Sequence, residues 1–123
     1  MIRRVACFLT LCVAAIASDP KTVTWTGWFS DAGCAAGRVK AGLIESTNPE
    51  CAKRCIEQGA AAVFISENAK AMYTVKGYTG VVNDLIYHVE VQGRVDEAAK
   101  TIEVLKVKQL EVVPASCGRP TKK

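Results

Sequence analysis

The sequence predicts a mainly β fold, a small five-stranded OB-like barrel with one short helix inserted between strands 1 and 2. Five segments are rich in β-branched and aromatic residues, and their apolar and polar side chains alternate with a period of two. A break after the third segment separates three strands from two, as in an OB-fold, which is a small and partly open barrel. The chain of 123 residues is 50% hydrophobic and 23% charged, which excludes a disordered protein.

Residues 1–17 are predicted to be a secretory signal peptide. Two arginines precede an uncharged apolar run, and small residues stand before the expected cleavage site at Ser18. The run is shorter than the roughly 18–20 residues that span a bilayer, which argues against a membrane anchor. A lipoprotein signal at Cys12 is an alternative, although Leu11 is bulky where such a signal has a small residue. We expect a secreted or periplasmic protein with no membrane span after cleavage.

Residues 18–123 are predicted to form a single OB-like domain with a basic C-terminal tail, in which Arg119, Lys122 and Lys123 lie. The body between residues 18 and 118 has almost balanced charges. A nucleic-acid-binding domain carries a basic face or stripe, and this body has no such excess. We therefore expect no nucleic-acid partner.

The first strand is predicted over residues 23–30, and its alternation places Trp25 and Trp28 on opposite faces. Gly27 in the middle of the strand indicates a bulge or a sharp bend, as a small barrel needs. A Gly-rich loop is predicted to follow from Asp31 to about Thr47.

The clearest helix signal follows this loop. Asn48 is predicted to cap the helix, Pro49 suits its first position and Gly59 ends it. A helix of about ten residues does not persist alone, so packing or covalent bonds must hold it. Cys51 and Cys55 are four residues apart and face the same way.

The remaining segments complete the predicted barrel. They are a hairpin of strands 62–66 and 71–75, a short helical turn within 79–86, and strands 87–95 and 101–113. The alternation of the last strand slips between Val104 and Leu105, which indicates a second bulge. His88 lies on the outward face of the fourth strand, where we expect a solvated residue.

Two patterns carry a resemblance to a known group of proteins. The first is Trp-Thr-Gly-x-x-Ser-Asp-x-x-Cys over residues 25–34, and the second is Cys-x-x-x-Cys-x-x-x-Gly-Ala over residues 51–60. With the strand segments around them, they make the chain similar to small exported bacterial proteins of unknown function that have a predicted OB-like fold. The resemblance implies the fold and the export, and it brings no activity with it.

Four cysteines remain after signal cleavage: Cys34, Cys51, Cys55 and Cys117. An even number in an exported domain of this size favours disulfide bonds, with three possible connectivities. Cys51 and Cys55 make an awkward pair because their side chains run parallel on one helix, so each is expected to pair with Cys34 or Cys117. The alternative is a zinc or copper site that uses the thiolates of Cys34, Cys51 and Cys55.

No catalytic motif is present in the sequence. His88 is the single histidine, and neither a phosphate-binding loop nor a zinc-protease motif occurs. We expect a non-enzymatic binding or structural module of the bacterial envelope with no cofactor, whose partner is a small molecule, a saccharide or an envelope protein. Trp28 is the candidate for stacking on a ligand; the alternative is that it packs beneath the inserted helix. The second interpretation of function is a thiolate-based metal-binding protein.

Overall fold

The computed structural model describes residues 21–113. The predicted signal peptide, Cys12, Cys117 and the basic tail lie outside these residues. No helix within them is long and apolar enough to cross a membrane.

Five strands form one sheet, which confirms the mainly β prediction. They are β1 (Lys21–Asp31), β2 (Ala62–Ser66), β3 (Ala71–Lys76), β4 (Tyr87–Asp96) and β5 (Thr101–Val112). Their order is β1-β2-β3-β5-β4, and β4 pairs again with β1, so the sheet closes on itself. The β3–β5 pair is parallel and short, whereas the other pairs are antiparallel.

The prediction of a single inserted helix was wrong, because two helices lie between β1 and β2. The helices are α1 (Ala32–Lys40), α2 (Pro49–Glu57) and, between β3 and β4, the one-turn α3 (Val81–Asp84). The first of them, α1, occupies part of the predicted Gly-rich loop. It forms because the Asp31 side chain caps its first turn and because Ala35 is fully buried against the sheet.

The predicted start of α2 is confirmed. The side chain of Asn48 accepts hydrogen bonds from the backbone N–H groups of Glu50 and Cys51, at 3.0 and 3.3 Å. Pro49 occupies the first turn, where its missing N–H costs nothing. The small helix α3 lies within the predicted helical turn.

Gly27 marks the point where β1 changes partner. It is paired with Val89 of β4 and also with Ser66 of β2, and the pairing passes through it without a register shift. A Cβ atom at this position would lie 1.8 Å from the carbonyl oxygen of Ile65. The glycine is therefore needed for a close approach of two backbones, and the predicted bulge is absent from β1.

The bulge predicted in the last strand is confirmed. Gln92 of β4 pairs with Lys106, whereas the next residue, Gly93, pairs with Val104. Leu105 therefore has no partner in β4 and is the extra residue of a β-bulge.

The buried residues form two clusters, one on each side of β2. Phe64 points into the barrel, where it packs with Phe29 and other strand residues. Val63 and Ile65 point outward and pack with Ala35 of α1. Since both faces of β2 are covered, the strand is a run of buried residues, and α1 is fixed to the outside of the barrel.

Candidate functional site

A cluster of one carboxyl group and two thiols lies where β1 meets the two inserted helices. Asp31 is the last residue of β1, Cys34 lies in the first turn of α1, and Cys55 lies in α2. One carboxylate oxygen and the two Sγ atoms all lie within 4.8 Å of one another. We call these three residues the thiol–carboxyl cluster.

Small buried side chains explain why these residues meet. Ala35 on α1 and Ala52 on α2 are both fully buried, and α2 packs on β1 and on α1. Cys34 precedes Ala35 directly, and Cys55 lies three residues after Ala52, which is the same face of the helix. The packing of Ala35 and Ala52 that holds each helix in place therefore also positions Cys34 and Cys55 near Asp31.

Asp31 is the buried member of the cluster, with 1% of its surface exposed. Its Oδ2 atom accepts a hydrogen bond of 3.1 Å from the backbone N–H of Cys34. Its Oδ1 atom is buried and has no hydrogen-bond partner among the described residues. A buried acceptor without a donor costs about 1–3 kcal/mol, so this oxygen calls for an explanation.

The thiol of Cys34 is held in its protonated form. A hydrogen bond to Asp31, burial, the negative charge of Asp31 and the neighbouring Cys55 together raise the pKa of Cys34 to about 12. A nucleophilic or redox-active cysteine needs a lowered pKa, so this arrangement does not suit thiol catalysis. A bound metal ion reverses the situation, because a coordinated thiol loses its proton.

Cys51 lies outside the cluster and is exposed. Of the predicted metal ligands Cys34, Cys51 and Cys55, the structure brings the first and third together and adds Asp31. Sequence reasoning missed Asp31, and the available signal was its position as a helix-capping residue three places before Cys34. The three described cysteines are free, and the predicted disulfide pairing stays a prediction because Cys117 lies outside the described residues.

Trp28 lies half-buried on the outside of the barrel, where it packs against the apolar group of Ala35, Val63 and Ile65 beneath α1. Its ring also stacks on the ring of His88, with centroids 5.0 Å apart. The expectation that His88 is solvated was wrong, since only 18% of its side chain is exposed. Its Nε2 atom contacts Glu67 and its Nδ1 atom lies 3.4 Å from Glu111, because the turn after β2 and the end of β5 both reach β4 here.

These side chains line an open groove of about 430 Å³, together with Ser46, Val112 and Val113. The groove has the size of a small-molecule site. The stacking partner of Trp28 in it is a residue of the chain itself, so the ring is less available to a ligand than the sequence suggested.

Comparisons of the chain with models of protein families, with curated proteins and with solved structures find no match. The thiol–carboxyl cluster is therefore the feature of the described residues that points to a function.

Proposed function

We propose that the chain is an exported, non-enzymatic metal-binding module, an OB-like barrel that holds zinc(II) through Asp31, Cys34 and Cys55. The observation that carries the proposal is the carboxyl group of Asp31, which lies in a cluster with two thiols and whose buried Oδ1 atom has no donor among the described residues. A cation coordinated by the three residues gives this carboxyl group a partner that the described residues do not supply.

The same oxygen argues for a metal ion over a disulfide bond. A disulfide between Cys34 and Cys55 would use both sulfurs and would remove the thiol proton that Cys34 directs at Asp31. The carboxylate would then be buried with even fewer donors, at a larger cost in free energy. Coordination instead engages all three groups at once.

The geometry suits zinc with a small adjustment. Zinc binds sulfur at about 2.3 Å and carboxylate oxygen at about 2.0–2.2 Å in a tetrahedron, which separates neighbouring ligand atoms by roughly 3.5–3.8 Å. The three ligand atoms lie within 4.8 Å of one another. Shifts of about 1 Å in their positions, by side-chain rotation, therefore bring them to the spacing of a zinc tetrahedron. Two thiolates and one carboxylate suit zinc better than copper(I), which favours purely soft ligands.

The fold supports a binding role. The closed order β1-β2-β3-β5-β4, with a helix between β3 and β4, fits the OB-like barrel that the sequence predicted. Asp31 stands at the end of a barrel strand, and both helices are anchored to the barrel by buried alanines. The ligands are therefore mounted on a rigid frame, which lowers the ordering cost of binding.

The test is a zinc titration of the full chain after export and signal cleavage, purified under reducing conditions and competed with a chromogenic chelator. We expect one equivalent of zinc per chain. Asp31→Asn, Cys34→Ser and Cys55→Ser should each weaken binding at least tenfold. Cys51→Ser is the matched control, since it removes a thiol of the same helix that lies outside the cluster.

A count of free thiols on the natively exported protein can contradict the zinc proposal. If Cys34 and Cys55 are oxidised to a disulfide as exported and the reduced chain binds no zinc, the protein is a disulfide-stabilised binding or structural module and the metal proposal fails.

A further inference from the structure

We infer that Cys51 is the thiol that an exchanging zinc ion meets first, so that it controls the rate of metal transfer without being a ligand in the final complex. This inference rests on the proposed function and deepens it. Cys51 is the predicted metal ligand that lies outside the thiol–carboxyl cluster.

Among the described residues, the cluster supplies three ligands and leaves one coordination position of a zinc ion open. It has three ligand groups, and no further His, Cys, Asp or Glu side chain within residues 21–113 joins it. Zinc in proteins is four-coordinate, and sites with four protein ligands are the closed, structural ones. A site with three protein ligands can accept a fourth ligand from outside, which is the requirement for ligand exchange.

The open side of the cluster is its sulfur side. Asp31 is buried beneath the helices, whereas Cys34 and Cys55 are both partly exposed. An ion therefore reaches the sulfurs before the carboxylate. The approach is along the surface formed by α1 and α2, because these helices carry the two cysteines.

Cys51 is exposed, and it lies in the first turn of α2, one helical turn before Cys55. Residues four apart on a helix have Cβ atoms about 5–6 Å apart and share one face. Helix side chains also lean toward the N-terminus, so the side chain of Cys55 is inclined toward the turn that holds Cys51. Two sulfurs at this spacing can hold a zinc ion between them.

The transfer then follows as an exchange of ligands. Cys51 and Cys55 bind the arriving ion, and their thiol protons pass to water. Cys34 and Asp31 replace Cys51 as ligands, the proton of the Cys34 thiol also leaves to water, and Cys51 takes up a proton again. No electron is transferred, and release follows the same steps in reverse.

The test compares equilibrium and rate in the zinc-loaded full chain carrying Cys51→Ser. A pathway residue changes loading and release by the same factor, so the zinc affinity should stay within about twofold of the unmodified chain. Release to excess EDTA and loading from a zinc–chelator complex should both be at least tenfold slower. Glu50→Gln changes the exposed neighbour of Cys51 and should leave both rates unchanged.

Two outcomes overturn the inference and leave the proposed function standing. Unchanged rates in Cys51→Ser would show that zinc exchanges without this thiol. A tenfold or larger loss of affinity would make Cys51 a permanent ligand. A failure of the unmodified chain to bind zinc is a separate result, which overturns the proposed function together with the inference.

Discussion

Replacing Asp31 with Asn is expected to stabilise the metal-free protein while it weakens zinc binding. Asn caps helices as well as Asp does, and its side-chain oxygen can still accept the hydrogen bond from the Cys34 backbone N–H. The substitution removes a buried carboxylate oxygen that has no donor among the described residues. A residue kept as a metal ligand lowers the stability of the empty protein, and this cost should be measurable.

The magnitude follows from opposing contributions. Removing the unpaired acceptor gains about 1–3 kcal/mol. Losing a negative charge at the N-terminus of α1 costs about 0.3–1 kcal/mol, and a buried amide N–H group without a good acceptor offsets part of the gain. The net expectation is a gain of about 1 kcal/mol, which is a rise in Tm of roughly 4–8 °C for a domain of this size.

The assay is urea and thermal unfolding of the reduced protein with a chelator present, on the unmodified chain, Asp31→Asn and Asp31→Ala. Asp31→Ala removes the unpaired oxygen and the helix cap together, so it should be about 1 kcal/mol less stable than Asp31→Asn. The urea slope should be unchanged, so that the midpoints report stability alone.

A loss of 1 kcal/mol or more in the stability of metal-free Asp31→Asn is the opposite result. Such a loss would mean that the carboxylate is well paired in solution. Asp31 would then be a structural group, and no metal ion would be needed to explain its burial.

Three further outcomes follow from the fold. Gly27→Ala should destabilise the protein by roughly 3 kcal/mol or more in urea unfolding, because its Cβ would lie 1.8 Å from the Ile65 carbonyl oxygen; a loss below 1 kcal/mol would show that β1 and β2 can separate there. Asn48→Ala should cost about 1 kcal/mol in the same assay through loss of the α2 cap, and no change would mean that the cap contributes nothing. Burial and the hydrogen bond to Asp84 raise the pKa of Tyr78 to about 12, above its ordinary value of about 10. The difference between the folded and unfolded pKa of Tyr78 contributes stability that is complete below pH 10 and is lost as the pH rises toward 12. Tyr78→Phe should therefore lose less stability over that interval than the unmodified chain, and an equal loss would contradict this.

The strands and α2 could be predicted because local signals agree with the fold. Alternation placed the strands, and the slip at Leu105 appears in the structure as a bulge. The cap and the proline located the start of α2. For α1 the local signals disagree with the fold, because three glycines between residues 31 and 47 are typical of a loop. Packing of Ala35 on the outside of β2 decides that segment, and this contact exists only after the barrel has formed.

The candidate site was only partly predictable for a related reason. Spacing along one helix shows that Cys51 and Cys55 share a face, but it does not show which of them meets Cys34. That choice depends on how α2 crosses α1 and β1, which is set by contacts distant in sequence. The role of Asp31 was hidden because a carboxylate before a helix is usually explained by capping alone.

The surroundings of His88 illustrate the same limit. Alternation correctly placed this residue on the outward face of β4, where a solvated side chain was the natural expectation. The structure covers it with Trp28 from β1 and with carboxylates from the turn after β2 and the end of β5. An outward position on a strand is therefore not an exposed one when neighbouring turns reach over it.

X-ray absorption at the zinc edge is the most direct test of the proposed metal centre, measured on the full chain after signal cleavage and loaded with one equivalent of zinc. We expect two sulfur ligands at about 2.3 Å, with the remaining ligands oxygen or nitrogen at about 2.0–2.2 Å. Cys55→Ser should have one sulfur fewer, whereas Cys51→Ser should keep both. A shell of three sulfurs, or one without sulfur, would contradict a centre formed by Asp31, Cys34 and Cys55.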